Sequence, residues 1–204
     1  MNNLHKVKRK MDKMDLKKLI KTINFDNNFI EATFQFRLLM ALGKIYREDD
    51  IFPERSIKAY FTKEEIDKFK KREIDIVLRN QEKLDIAIEL KMPMNGQFPE
   101  QMYQFVKDIK FLEELKSSKK FSQCFLIVVT DNKLFWQGDK KDGIYSSFRN
   151  KIPLSGTRSK PTGPNKDHIE FDIELEGKYD ISWNDLNNDF KYFIVEIKNE
   201  PVIK

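Results

Sequence analysis

Two short stretches separated by a polar connector decide most of what this chain can become. In residues 73–78, Ile74, Ile76 and Leu78 alternate with Glu73, Asp75 and Val77. In residues 84–91, Leu84, Ile86, Ile88 and Leu90 alternate with Asp85, Ala87, Glu89 and Lys91. A period of two predicts half-buried β-strands, one face toward a core and the other carrying the polar side chains. The connector Arg79-Asn80-Gln81-Glu82-Lys83 is short enough to make the pair an antiparallel hairpin. With Leu78 opposite Leu84, Asp75 falls opposite Ala87 and one diagonal step from Glu89. Diagonal neighbours lie roughly 7–8 Å apart, so two carboxylates there reach one divalent ion.

That polar face has a definite chemistry open to it. Mg2+ takes oxygen ligands and is often held by one or two carboxylates together with water and substrate phosphate. A bound ion lowers the pKa of a water and stabilises charge on a phosphoryl oxygen. Lys91 follows Glu89 by about 6.6 Å along the strand, within reach of an attacking water or a scissile phosphate. The plainer alternative is a solvent-facing sheet with a cross-strand lysine–carboxylate pair, a common feature in a chain that is 35% charged.

Asp75 followed by Glu89-Leu90-Lys91 at the end of an apolar strand resembles the PD-(D/E)xK nuclease superfamily, the restriction-endonuclease-like fold. The resemblance covers roughly residues 29–130, and Ile74 stands where the motif's name has proline. It implies Mg2+-dependent hydrolysis of a DNA phosphodiester, with Mn2+ as a substitute ion. Asp75 and Glu89 would be metal ligands with the Leu90 carbonyl as a third, and Lys91 would orient or activate water. It also implies a homodimer, one active site for each DNA strand. In this superfamily a helix before the core sheet often supplies a further acid, a place that Glu31 fits. Glu31 is equally the partner of Asn28 in a capping box, which needs no metal, and Glu54 is a rival for the same role. Some relatives place a glutamine on the following helix, which makes Gln101 and Gln104 candidates. The glutamine–tyrosine signature of the RecB-like branch is absent, because Phe105 follows Gln101 by four.

The surrounding sequence suits that order of elements. Residues 29–46 predict an apolar helix with Phe34, Leu38, Leu42, Ile45 and Tyr46 toward the core and Asn27 or Asn28 as its cap. Pro99 marks the first turn of a second helix, in which Met102, Phe105, Val106, Ile109, Leu112 and Leu115 recur at spacings of three and four to about residue 116. Gln101, Gln104 and Asp108 share its polar stripe, which for Asp108 predicts a solvated face. Residues 121–130 are a continuous apolar run, expected as a strand buried on both faces. Strand, helix and buried strand predict a parallel crossover.

Beyond residue 131 the pattern loosens. Lys133–Gln137 predicts a short strand, and residues 153–164, rich in Gly, Pro, Ser and Thr, predict a long basic loop. Arg158 and Lys160 in that loop are candidates for phosphate and base contact. Residues 168–183 predict a hairpin turning at Gly177, with His168 opening its first strand, and residues 190–197 a last strand.

The expected fold class is therefore α/β: a restriction-endonuclease-like central mixed sheet flanked by helices, with a C-terminal β appendage. Residues 1–24 form a basic leader and helix, 25–131 the core, and 132–204 the irregular remainder. The leader holds eight Lys or Arg against two Asp in residues 1–22. Its Leu16, Leu19, Ile20 and Ile23 predict an amphipathic helix whose lysines are solvated or meet phosphate. The net charge of +5 permits DNA binding. One cysteine, Cys124, allows no intrachain disulfide and predicts a small apolar filler. No stretch has membrane-spanning or signal-peptide character, which leads to an expected cytoplasmic location. There is no zinc-ligand spacing or phosphate-cradling glycine loop, and the two histidines, His5 near the terminus and His168 opening a strand, offer no plausible Ser-His or Cys-His arrangement. Three functions follow: a DNA endonuclease, a non-catalytic DNA-binding or regulatory protein on the same fold, or a subunit of a defence or repair complex.

Overall fold

The computed structural model describes residues 15–26, 29–79, 84–93, 96–163, 169–186 and 189–198. A six-stranded mixed sheet is its centre, in the order β1-β2-β3-β4-β8-β7. These strands are β1 (Ile51–Ser56), β2 (Glu73–Leu78), β3 (Asp85–Lys91), β4 (Phe121–Thr130), β7 (Asn184–Asp185) and β8 (Lys191–Glu196). Only β3 and β4 run parallel. Helices flank the sheet, so the chain is mixed α/β. On one face lie α1 (Leu16–Ile20) and α2 (Glu31–Leu42), packed on Ile76, Leu78, Ile86, Ile88, Leu90, Phe125 and Ile127. On the other lie α4 (Phe98–Ser117) and a two-stranded sheet of β5 (Leu154–Arg158) and β6 (Ile173–Tyr179), over Val77, Ala87, Leu126 and Val128. Two short helices complete the set, α3 (Lys63–Ile66) and α5 (Tyr145–Arg149).

The strongly periodic segments fold as their sequences dictate. Met102, Phe105, Val106, Ile109, Leu112 and Leu115 are all fully buried along α4, which starts with Pro99 in its first turn. Leu16, Leu19, Ile20 and Ile23 are buried as well, and Cys124 lies buried in β4. α2 stops at Leu42, shorter than its periodicity suggests. The chain turns at Gly43, so Ile45 leaves the stripe and is 52% exposed. Ile30 holds the N-cap position of α2 without a side-chain cap, while Asn27 and Asn28 lie outside the described residues.

β3 departs from the half-buried strand expected of it. Every residue from Ile86 to Leu90 is buried, because α4 covers the face carrying Ala87 and Glu89. The β2–β3 hairpin forms, with a register two residues from the expected one: Ile76 pairs with Ile88 and Leu78 with Ile86. Continued by one residue, that register sets Asp75 level with Glu89 rather than diagonal to it. The connector's residues 80–83 lie outside the described residues.

The C-terminal region differs more. Lys133–Phe135 forms a single 3-10 turn instead of a strand. Residues 154–158, expected as loop, are strand β5, and Arg158 pairs with Ile173 at its end. β6 continues through Gly177 with a bulge there, so no hairpin turns at that residue, and His168 lies outside the described residues. β7 and β8 extend the central sheet past β4, so the C-terminal strands are divided between two sheets and do not form one appendage.

Candidate active site

The sheet gathers acids and lysines at the mouth of the β2–β3 pair, beneath α4. Asp75 enters from β2, where its Oδ2 accepts the Leu90 backbone N–H at 2.7 Å. That bond ties the acid of one strand to the acid-bearing stretch of the next. Glu89 on β3 is fully buried, so the solvent-facing alternative for this polar face does not hold. The burial follows from parity: Glu89 shares a face with Ala87, and α4 covers both.

Four further side chains join these two. Lys71, in the irregular segment between α3 and β2, hydrogen-bonds Glu89 Oε2 and lies 3.3 Å from Asp75 Oδ1 and 3.7 Å from Asp108 Oδ1. Asp108 projects from α4 and is only 6% exposed; its Oδ2 is 3.6 Å from Lys91 Nζ. Lys91 also donates to the Leu90 carbonyl at 3.0 Å and lies 3.9 Å from Glu31 Oε1. Glu31, the first residue of α2, accepts the Met92 backbone N–H at 2.8 Å. It thus fixes the end of β3 and reaches Lys91 together. Glu54 borders the site from β1, between the Pro53–Ile76 and Arg55–Ile74 pairs, and hence level with Asp75. Gln35 links the two by donating to Glu54 Oε1 and to the Asp75 carbonyl.

Burial and charge set the protonation of this cluster. Glu89 titrates well above the usual carboxylate range, first because it is buried and then because Asp75 and Asp108 are close; Lys71 opposes the rise. Asp108 is also raised, by burial, against the pull of Lys91 and Lys71. Burial works against both lysine charges, yet the surrounding carboxylates outweigh it and raise the pKa of Lys71 and of Lys91. Both lysines are therefore ammonium ions at neutral pH. Glu89 Oε1 is buried with no hydrogen-bond partner, an orphaned acceptor inside an anionic cluster.

The donor set is chemically suited to a hard divalent cation, since Asp75, Glu89 and Asp108 all offer carboxylate oxygen. Among the described residues, however, no three His, Cys, Asp or Glu side chains stand in a metal-holding arrangement. The Lys71 ammonium lies among the three carboxylates that would otherwise face one another. The Leu90 carbonyl is engaged by Lys91.

Among the glutamines, Gln104 lines the same cleft as Lys71, Lys91 and Asp108, one turn along α4. Gln101 is not among the residues lining that cleft. Arg158 and Lys160 stand apart from the cluster: the Arg158 guanidinium bonds the Thr157 carbonyl at 3.2 Å, and Lys160 lies 5.3 Å from the Phe171 ring centre.

Sequence reasoning missed Lys71, Asp108 and Gln35. A signal existed for two of them. Lys71, Glu73 and Asp75 share parity in an extended run, and Asp108 lies three residues after Phe105 and four before Leu112, inside the apolar stripe of α4. No family model matches the chain, and neither a curated protein nor a solved structure matches it. Among the described residues no helix is long and apolar enough to cross a membrane.

Proposed function

We propose that this chain is a metal-dependent DNA endonuclease with a restriction-endonuclease-like fold. One observation carries the reading: Asp75, Glu89 and Lys91 converge on adjacent strands, and the fully buried Glu89 keeps an oxygen without a partner. A buried, unpaired carboxylate oxygen costs stability unless something in the working protein uses it. Asp75 and Glu89, with the Leu90 carbonyl, would hold Mg2+ or Mn2+. When bound, such an ion supplies Lewis acidity and a water of lowered pKa.

The other roles follow from the geometry. In the metal-free site the surrounding carboxylates outweigh burial and raise the pKa of Lys91, so there it is a hydrogen-bond donor and a charge beside the phosphate. Asp108 and Glu31 hold its ammonium from two sides and fix its direction. Arg158 and Lys160 would contact the DNA backbone, and a homodimer would bring one site to each strand. Cytoplasmic DNA is the substrate this reading assumes.

A plasmid-nicking assay tests it, with Mg2+, an EDTA control and Lys91→Ala. Cleavage that needs Mg2+ and disappears in the variant supports the nuclease. A folded protein that leaves duplex, branched and single-stranded DNA intact would refute it. The second reading, a non-catalytic DNA-binding or regulatory protein, draws on the Lys71 ammonium, which partly neutralises the three carboxylates. Salt-dependent DNA binding without cleavage would favour it, whereas cleavage only in cell extract would point to a subunit of a larger defence or repair assembly.

A further inference from the structure

We infer that Lys71 is a built-in cation that occupies the metal position and must leave before a divalent ion can bind. The proposal rests on the nuclease reading for its choice of ion, and it concerns how access to that same site is controlled. Lys71 contacts three carboxylates from three separate elements: Asp75 of β2, Glu89 of β3 and Asp108 of α4. No other described side chain joins all three.

Charge explains why the arrangement is incomplete. In their ionised forms Asp75, Glu89, Asp108 and Glu31 outnumber Lys71 and Lys91 by two negative charges. Glu89 Oε1 also remains buried and unpartnered although Lys71 is bound to Oε2 of the same group. A single ammonium with three N–H donors satisfies neither the charge nor the acceptors of this cluster. A divalent cation supplies more charge at the same place and accepts more oxygen ligands.

Lys71 also has a way out. It belongs to neither α3 nor β2, and its side chain is 30% exposed. It lines a cleft of about 1670 Å3 between α4 and the β5–β6 sheet, whose other basic side chains include Lys70, Lys107 and Lys116. The ammonium lies on the wall of that cleft, so the cleft is the direction in which it can swing. There it would join Lys70, Lys107 and Lys116 in a cleft that Glu113, Glu114, Glu174 and Glu176 also line, so that metal entry moves one positive charge out of the site and into the cleft.

Two measurements on the full chain test this, neither of them cleavage. Binding of Mn2+ to EDTA-stripped protein is read from the electron paramagnetic resonance signal of the free ion. Lys71→Met is expected to bind Mn2+ more tightly than the wild type by roughly tenfold or more, the scale of two ligands competing for one site. Equal or weaker binding overturns the proposal and leaves the nuclease reading standing. In wild-type protein, amine labelling of Lys71 followed by mass spectrometry should rise when Mg2+ is added. Protection that persists at saturating Mg2+ overturns the proposal without recourse to a variant. Failure of both proteins to bind Mn2+ would remove both the lock and the metal-dependent reading.

Discussion

Removal of Glu113 probes how the second sheet is fastened to the body of the protein. The β5–β6 ladder passes from Gly156–Leu175 to Ser155–Lys178, which leaves Glu176 and Gly177 as extra residues on β6. A bulge of this kind strips backbone groups of their ladder partners. Glu113, buried on α4, collects what is left over: its Oε2 accepts the Glu176 N–H at 3.1 Å, and its Oε1 accepts the Gly177 N–H and the Tyr179 hydroxyl, each at 2.7 Å. Each hydrogen bond to a charged acceptor is worth about 1.5–3 kcal/mol. Glu176 is exposed and can turn to water, so the three do not add in full. Glu113→Ala should therefore cost about 3–5 kcal/mol, the range for removing one partner of a buried charged network. Tyr179→Phe alone should cost about 1–2 kcal/mol, and in the double variant the second change should add almost nothing. Urea denaturation of the four proteins measures this. A loss under about 1 kcal/mol for Glu113→Ala, or strict additivity in the cycle, would refute the reasoning.

Other outcomes can be checked as directly. Gly177→Ala would drive a Cβ into the Tyr179 hydroxyl oxygen, so it should lower stability by about 1–3 kcal/mol through overpacking, seen as a reduced thermal midpoint. Glu89 has a raised pKa in the fold, so in metal-free protein the stability it contributes is present in its protonated form below about pH 4.3 and is lost as pH climbs through the folded value. Glu89→Gln should accordingly gain on the wild type as pH rises from 4 to 8 in EDTA; a difference independent of pH would contradict that sign. Asp108→Asn should lower cleavage about 10–100-fold by loosening Lys91, with the fold intact by circular dichroism, and an unchanged rate would remove Asp108 from the site. Arg158→Ala with Lys160→Ala should weaken DNA binding and flatten its dependence on salt, and unaltered affinity would take both residues out of the interface.

The elements legible in the sequence were those with one dominant signal. α4 and β4 carry long apolar patterns that tertiary contacts reinforce, so their limits follow within a residue or two. The β2–β3 hairpin was legible as a pair, but its connector did not fix the register, and a shift of two residues preserves every face while moving Asp75 from opposite Ala87 to level with Glu89. The same parity hid the burial of Glu89: alternation marks two faces and says nothing of whether a helix will cover the second. Asp108 was read as solvated because its neighbours on the polar stripe, Gln101 and Gln104, are polar; its place between Phe105 and Leu112 marked it for burial, and the packing of α4 across β3 supplies its ion-pair partners. Gly177 looked like a turn because glycine commonly makes one, whereas here the constraint is the Tyr179 ring that crosses its Cα.

The two ends of the central sheet bear on how copies of this chain can associate. β7 at one end is only two residues long. β1 at the other contains Pro53, which has no N–H to donate, followed by Glu54 in a left-handed conformation with φ of 47° and by Arg55. A short rim on one side and a kinked, charged, donor-poor rim on the other both resist the addition of a foreign strand. Growth of the central sheet from one molecule into the next is thereby discouraged, so a pairing of copies falls to helices, loops or the β5–β6 sheet, with β2 and β3 left inside each molecule.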